Sequence, residues 1–153
     1  MATSNGTNPS FESVNLTGVT AGNSALRVAK AIYNFAIDGG AVSTITPNGT
    51  VSLPDNAVII AATVNSTTAV LSAGAATVSV GTSAGSSAAS LLAATAKASL
   101  SLDAVLNGVP VFATPVKLTA AGNVTFTVGT AALTAGVIEV TIYYTVALAQ
   151  HRQ

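Results

Sequence analysis

Val137-Ile-Glu-Val-Thr-Ile-Tyr-Tyr-Thr-Val-Ala-Leu148 alternates with a period of two. Ile138, Val140, Ile142, Tyr144, Val146 and Leu148 fall on one side, with Glu139, Thr141, Tyr143 and Thr145 on the other. Successive side chains of a strand point to opposite faces, so this pattern reads as a strand with one face in a core and one outside. Two further stretches alternate in the same way and echo each other, Gly74-Ala-Ala-Thr-Val-Ser-Val-Gly-Thr82 and Gly122-Asn-Val-Thr-Phe-Thr-Val-Gly-Thr130. Val78 and Val80, or Val124, Phe126 and Val128, share one face, and the other face carries Ser and Thr instead of Lys and Glu. Two copies are too few for a solenoid, which needs about three repeats. We read the echo as biased strand-and-turn composition and not as duplication.

Strand signals flank these segments. Ala29, Ala31, Tyr33, Phe35 and Ile37 alternate with Lys30, Ile32, Asn34 and Ala36, and Asp38-Gly-Gly40 closes the run as a turn. Residues 41–46 form a second strand before the turn former Pro47-Asn-Gly49, and residues 51–53 a short third before Pro54-Asp-Asn56. Residues 58–64 are apolar on both faces, as expected of a central strand covered on two sides. Residues 69–71, 75–80, 98–102, 109–112, 116–118 and 123–128 complete the set. One segment, residues 87–96, is rich in Ala and Leu with Ser87 or Ser90 as N-cap, and predicts one or two helical turns. Short strands separated by turn signals predict an all-β antiparallel sandwich or barrel. Residues 1–23, rich in Ser, Thr, Asn and Gly, carry only the spaced apolar residues Phe11, Val14, Leu16 and Val19. They predict an extended arm, either a disordered tail or a segment that orders by laying those residues over a neighbour.

The charge content bounds the function. Charged residues are 7% of the 153-residue chain, with five Lys and Arg against five Asp and Glu; an average soluble domain carries about 25%. Area scaling gives a folded surface of about 7,000 Å², hence about one charge per 700 Å². Either partner subunits cover much of that surface, or a coat of Thr, Ser and Asn solvates it. The zero net charge and positive mean hydropathy of +0.63 favour the first, because both promote association. Arg27, Lys30, Lys97, Lys117 and Arg152 are scattered, so no basic patch for nucleic acid is legible. The longest apolar run, Ala57-Val-Ile-Ile-Ala-Ala62, is far short of the roughly 20 residues of a membrane helix. The N-terminus has no basic or apolar leader character, so we expect no signal peptide. With no cysteine, a disulfide framework and a thiolate metal site are excluded.

A search for catalytic residues returns none. His151 is the single histidine and lies three residues from the end, where an exposed tail residue is the natural reading. Glu12, Asp38, Asp55, Asp103 and Glu139 are far apart in sequence, and Asp38 and Asp55 precede Gly or Asn in turns, where a short carboxylate binds local backbone. Gly81-Thr-Ser-Ala-Gly-Ser-Ser87 lacks the Lys of a phosphate loop. Tyr143 and Tyr144 could stack on a sugar, but there is no tryptophan to complete a platform; one belongs to the core and the other to an interface. We expect no cofactor and no metal.

Taken together, Asp38-Gly-Gly-Ala-Val-Ser-Thr-Ile-Thr46, Val51-Ser-Leu-Pro-Asp-Asn-Ala-Val-Ile59, Leu91-Leu-Ala-Ala-Thr-Ala96, Thr114-Pro-Val-Lys-Leu-Thr-Ala-Ala-Gly-Asn-Val-Thr-Phe-Thr-Val128 and Leu133-Thr-Ala-Gly-Val-Ile-Glu-Val-Thr-Ile-Tyr-Tyr144 resemble the small virion proteins of tailed bacteriophages. The likeness covers residues 29–147. It implies a jelly-roll sandwich over residues 28–153 behind an N-terminal arm of residues 1–27. It also implies a head decoration, or cement, protein: a homo-oligomer, expected as a trimer, seated on the major capsid protein at the virion surface. The likeness does not cover the arm, and there we expect Phe11, Val14, Leu16 and Val19 to make the capsid contacts. Tyr143, Thr141 and Thr145 mark the expected oligomer seam. The competing readings are a tail-fibre or surface module that binds host glycans through residues 82–87 and 107–110, and another virion part such as a capsid or connector subunit.

Overall fold

A computed structural model describes residues 26–84, 91–108 and 115–147. The strands among them are β1 (Arg27–Asn34), β2 (Thr44–Ile45), β3 (Ser52–Leu53), β4 (Ala57–Ser72), β5 (Thr77–Thr82), β6 (Leu92–Ala96), β7 (Ala104–Asn107), β8 (Val116–Lys117), β9 (Gly122–Gly129) and β10 (Leu133–Val146). A one-turn helix, α1 (Phe35–Asp38), and a 3-10 turn at Lys97–Ser99 interrupt them.

These strands make two five-stranded sheets. The first runs β1-β10-β4, with β7 and β8 side by side along the far edge of β4; the second runs β6-β5-β9, with β2 and β3 sharing the far edge of β9. Every pairing is antiparallel. With β2 and β3 taken as one interrupted strand, and β7 and β8 as another, the pairs nest: first with last, then inward to the hairpin β5–β6. The closing pairs β10–β4 and β9–β5 roll that ribbon into a sandwich. The fold is thus an all-β jelly roll, a double sheet built from two Greek keys.

The core lies between the sheets. Ala31, Tyr33, Ile59, Val64, Ile138, Val140 and Ile142 from the first meet Leu53, Val78, Val80, Val124, Phe126 and Val128 from the second, all buried. Burying each large aliphatic or aromatic side chain contributes about 1.5–3 kcal/mol. A chain this poor in charge therefore draws its stability from that layer. The alternation read at residues 137–148 holds through Ile142, and Tyr144 packs against the core from its margin.

Several expectations change, each for a local reason. The first strand stops at Asn34, not at residue 37: the Asn34 side chain accepts from the Ala36 amide, the Asn34 amide donates to Asp38 Oδ2, and the chain turns into α1. Residues 58–64 and 69–71 belong to one strand, because register shifts between Ala135 and Val137 and between Val137 and Ile138 absorb the change of period. Residues 41–46 pair only at Thr44 and Ile45. The helix expected over residues 87–96 is replaced at Leu92–Ala96 by β6, which pairs with β5 and buries Leu92. Ala and Leu favour a helix by only tenths of a kcal/mol per residue, less than the burial of one leucine against the core. Residues 98–102 form no strand; the 3-10 turn there drives Leu100 into the core, and its carbonyl accepts from the Val70 amide and from Ser66 Oγ. The strand expected at 109–112 lies outside the described residues. The two echoing stretches are neighbours, with Val78 opposite Val128 and Val80 opposite Phe126.

Candidate assembly surface

Each sheet has an outer face, and the two differ in chemistry. On the second sheet the outward positions are hydroxyl-bearing. Thr44 lies opposite Thr127, with their Oγ1 atoms 2.9 Å apart, and Thr127 lies opposite Ser79. Thr77 and Thr125 continue that face; Ser79 and Thr125 are buried, and no buried side-chain polar atom lacks a hydrogen-bond partner among the described residues. Cross-strand Thr–Thr and Thr–Ser pairs are a favourable way to finish a sheet face without charge.

On the first sheet the antiparallel register lays residues in rows across the strands. One row reads Val28, Tyr143, Ala61; the next Lys30, Thr141, Thr63, Asn107; the next Ile32, Glu139, Asn65, Val105. Val28 is 58% exposed and Val105 66%, which leaves two β-branched apolar side chains almost free in a single chain. Thr145 stands opposite Val58. Lys30 and Glu139 are diagonal neighbours, and their Nζ and Oε1 atoms are 2.8 Å apart. That ion pair neutralises the charge in the centre of the face.

The structure therefore brings Thr141, Tyr143 and Thr145 together on the outer side of β10, in mid-sheet and half-buried by their neighbours. Tyr144, the other member of the tyrosine pair, points the opposite way. Phe11, Val14, Leu16 and Val19 lie outside the described residues, as do His151 and parts of the loops at 82–87 and 107–110. Sequence reasoning missed Val105, because it assigns residues 104–107 to no strand; Ala104-Val-Leu-Asn107 between Asp103 and Gly108 carries a short strand signal. It also missed the ion pair, which only the pairing of β1 with β10 reveals.

The polar groups elsewhere are occupied with structure. Asp38 Oδ1 and Oδ2 accept from the amides of Asn48 and Asn34, each at 2.8 Å, and Asp55 Oδ1 accepts from the Asn56 amide at 2.7 Å. These carboxylates hold turns, as their positions before Gly and Asn imply. The Tyr33 phenol donates to the Gly39 carbonyl at 2.6 Å, and burial, with the charge of Asp38 beside it, pushes its pKa up to about 12. Among the described residues no three His, Cys, Asp or Glu side chains gather as a metal site. No helix among them is long and apolar enough to cross a membrane.

No protein-family model matches the chain, and no curated protein does so by sequence. Its fold, however, is similar to chains in three phage capsid structures. In the cyanophage Pam1 capsid asymmetric unit the identity is 17%, the TM-score 0.60, and the match covers 86% of this chain and 91% of that one. In the capsid of Ralstonia phage GP4 the identity is 16%, the TM-score 0.59, and the coverage 88% and 92%. In the acid-stable capsid of Helicobacter pylori bacteriophage KHP30 the identity is 16%, the TM-score 0.56, and the coverage 80% and 88%.

Proposed function

We propose that this chain is a non-enzymatic structural protein of a tailed-phage virion, a decoration protein that self-associates as a trimer and binds the outside of the head. The observation that carries the reading is the likeness to chains in three capsids over nearly the whole length of each partner. The charge-poor surface supports it too, since a net charge of zero removes the repulsion that keeps monomers apart.

The mechanism is mass action. A ligand that binds only the assembled shell stabilises it by RT ln(1 + [L]/Kd), about 4.1 kcal/mol at a thousandfold excess over Kd. Many sites on one head multiply that resistance to internal pressure. In this reading residues 28–153 form the body, and residues 1–27 form an arm that grips the major capsid protein through Phe11, Val14, Leu16 and Val19. No nucleic acid, membrane or cofactor takes part.

The test adds the purified chain to heads that lack it. Saturable binding, together with a higher temperature of head disruption, is the expected result. A chain without residues 1–23 should keep its solution mass and lose head binding. Failure of the intact chain to bind heads, or binding to host glycans in place of heads, would overturn the proposal.

A further inference from the structure

We infer that copies of this chain meet through the outer face of the β1-β10-β4-β7 sheet, and not through the hydroxyl-bearing face of the second sheet. This rests on the self-association proposed above and assigns it to one of the two faces. The first observation is a segregation. The exposed large hydrophobic residues that lie within strands are Val28, Ile32, Leu71 and Val105, and all four belong to strands of the first sheet. Among the described residues none lies on a strand of the second. The second observation concerns β4. Residues 57–62 of β4 are apolar on both faces, the pattern of a strand covered on two sides, yet Val58 and Ile60 stay half-exposed in a single chain. Another molecule is needed to complete the cover.

Charge and area identify that molecule as a second copy. A face that meets its own kind cannot carry net charge at its centre without setting like charges against each other. At the centre of this face Lys30 and Glu139 are the charged residues, and they pair with each other; Lys117, opposite Val58, stands at its edge on β8. The 16 residues of β4 and 14 of β10, at about 3.3 Å per residue and about 4.8 Å between strands, give the four-strand face an area on the order of 700 Å². That is close to the roughly 800 Å² per partner of a stable interface.

The experiment measures the solution mass of the full chain over a range of concentration, for the unaltered protein and three variants. Val28→Lys and Val105→Lys place an unpaired charge at either side of the face, on exposed side chains that the fold does not need. Ala93→Lys places the same charge on exposed β6 of the second sheet. Circular dichroism and cooperative melting establish that each variant is folded, and either Val28→Lys or Val105→Lys suffices if the other melts early. The expected result is that both raise the concentration needed for assembly about 100-fold, while Ala93→Lys leaves it unchanged. Assembly that resists both, or that is lost in Ala93→Lys alone, overturns the assigned face and leaves the proposed function standing. Unchanged mass with lost head binding also overturns it, and makes the shell the occupant. An unaltered chain that stays single at every concentration removes self-association itself.

Discussion

The rings of Tyr33 and Phe126 stack across the sandwich with their centroids 5.5 Å apart and their planes 29° from parallel. Tyr33 comes from β1 of the first sheet and Phe126 from β9 of the second, so this contact ties the two layers near the end where α1 begins. Both rings are buried, and Tyr33 in addition donates to Gly39. Phe126→Ala should cost about 3–5 kcal/mol, the range for emptying an aromatic site. Tyr33→Phe should cost about 1 kcal/mol, since the ring stays and only the bond to the Gly39 carbonyl is lost. Denaturant titration of the two variants, at unchanged slope, checks the ratio. Equal losses would mean that the hydroxyl matters as much as the stack.

Stability should also fall at high pH, and Tyr33 sets the window. Its folded pKa is raised to about 12 by burial and by Asp38, while an unfolded tyrosine titrates near 10. The neutral phenol is thus favoured in the fold. The contribution is complete below pH 10 and is lost as pH climbs from 10 through 12, by about 1.4 kcal/mol per pH unit. Thermal melts at pH 9 to 12 should show this decline, and Tyr33→Phe should flatten it. Tyrosinate absorbance provides the second readout, with the late-titrating phenol absent from the variant.

The ion pair on the assembly face should matter little to the fold. The Lys30 side chain is 57% exposed and Glu139 26%, so screening holds the coupling to a few tenths of a kcal/mol. A double-mutant cycle with Lys30→Met and Glu139→Gln should find at most about 0.5 kcal/mol, vanishing in 1 M salt. Assembly should respond differently, because either single change leaves one unpaired charge at the centre of the face proposed to meet its own kind. Each single variant should assemble more weakly than the double. Equal assembly of all three would contradict the role given to charge balance.

What was legible in the sequence is the part governed by period two. β9 and β10 announce themselves because Val124, Phe126 and Val128, or Ile138, Val140 and Ile142, are buried on strictly alternate positions. Where the ladder breaks period, the reading loses its grip: the bulges of β4 hide that residues 58–64 and 69–71 are one strand. Leu92–Ala96 reads as helix because alanine says little about a strand, and only pairing with Thr77 and Val78 decides it. The candidate surface was half visible. Thr141, Tyr143 and Thr145 follow from the alternation alone, but their neighbours Val28 and Val105 are contributed by distant segments. Which sheet is the apolar one depends on that topology, and no local pattern encodes it.

Gly122 marks a place where the chain has no room. A Cβ built there would lie 2.4 Å from Ala84 Cβ and 2.6 Å from the Ala84 amide nitrogen. The obstacle is another residue's backbone and not the tip of a flexible side chain, so it cannot swing away. The neighbouring bonds, Ser83 amide to Asn123 carbonyl and Asn123 amide to Ser83 Oγ, each at 2.9 Å, hold the two segments in register. Gly122→Ala should therefore destabilise by about 1–3 kcal/mol, the cost of overpacking. A melting temperature unchanged within about 2 °C would show that the segment yields more easily than these bonds imply.

Thr130 stores strain at the turn from β9 to β10. Its φ is 69°, and the Ala131 amide donates to the Gly129 carbonyl at 2.8 Å, which closes a three-residue turn of the rare positive-φ kind. A β-branched residue is poorly suited to that region, at a cost of about 1–3 kcal/mol. Glycine adopts it freely, but replacing a side chain by glycine loosens the unfolded chain by about 0.4–1 kcal/mol. The relief is the larger of the two terms. Thr130→Gly should stabilise by roughly 1 kcal/mol, which for a chain of this size raises the melting temperature by about 2–4 °C. Thr130→Ala removes the branch but keeps a Cβ at positive φ, and should recover only part of that gain. If Thr130→Gly melts lower than the unaltered protein, the exposed Thr130 side chain contributes more than its backbone costs, and the turn is held for a reason other than strain.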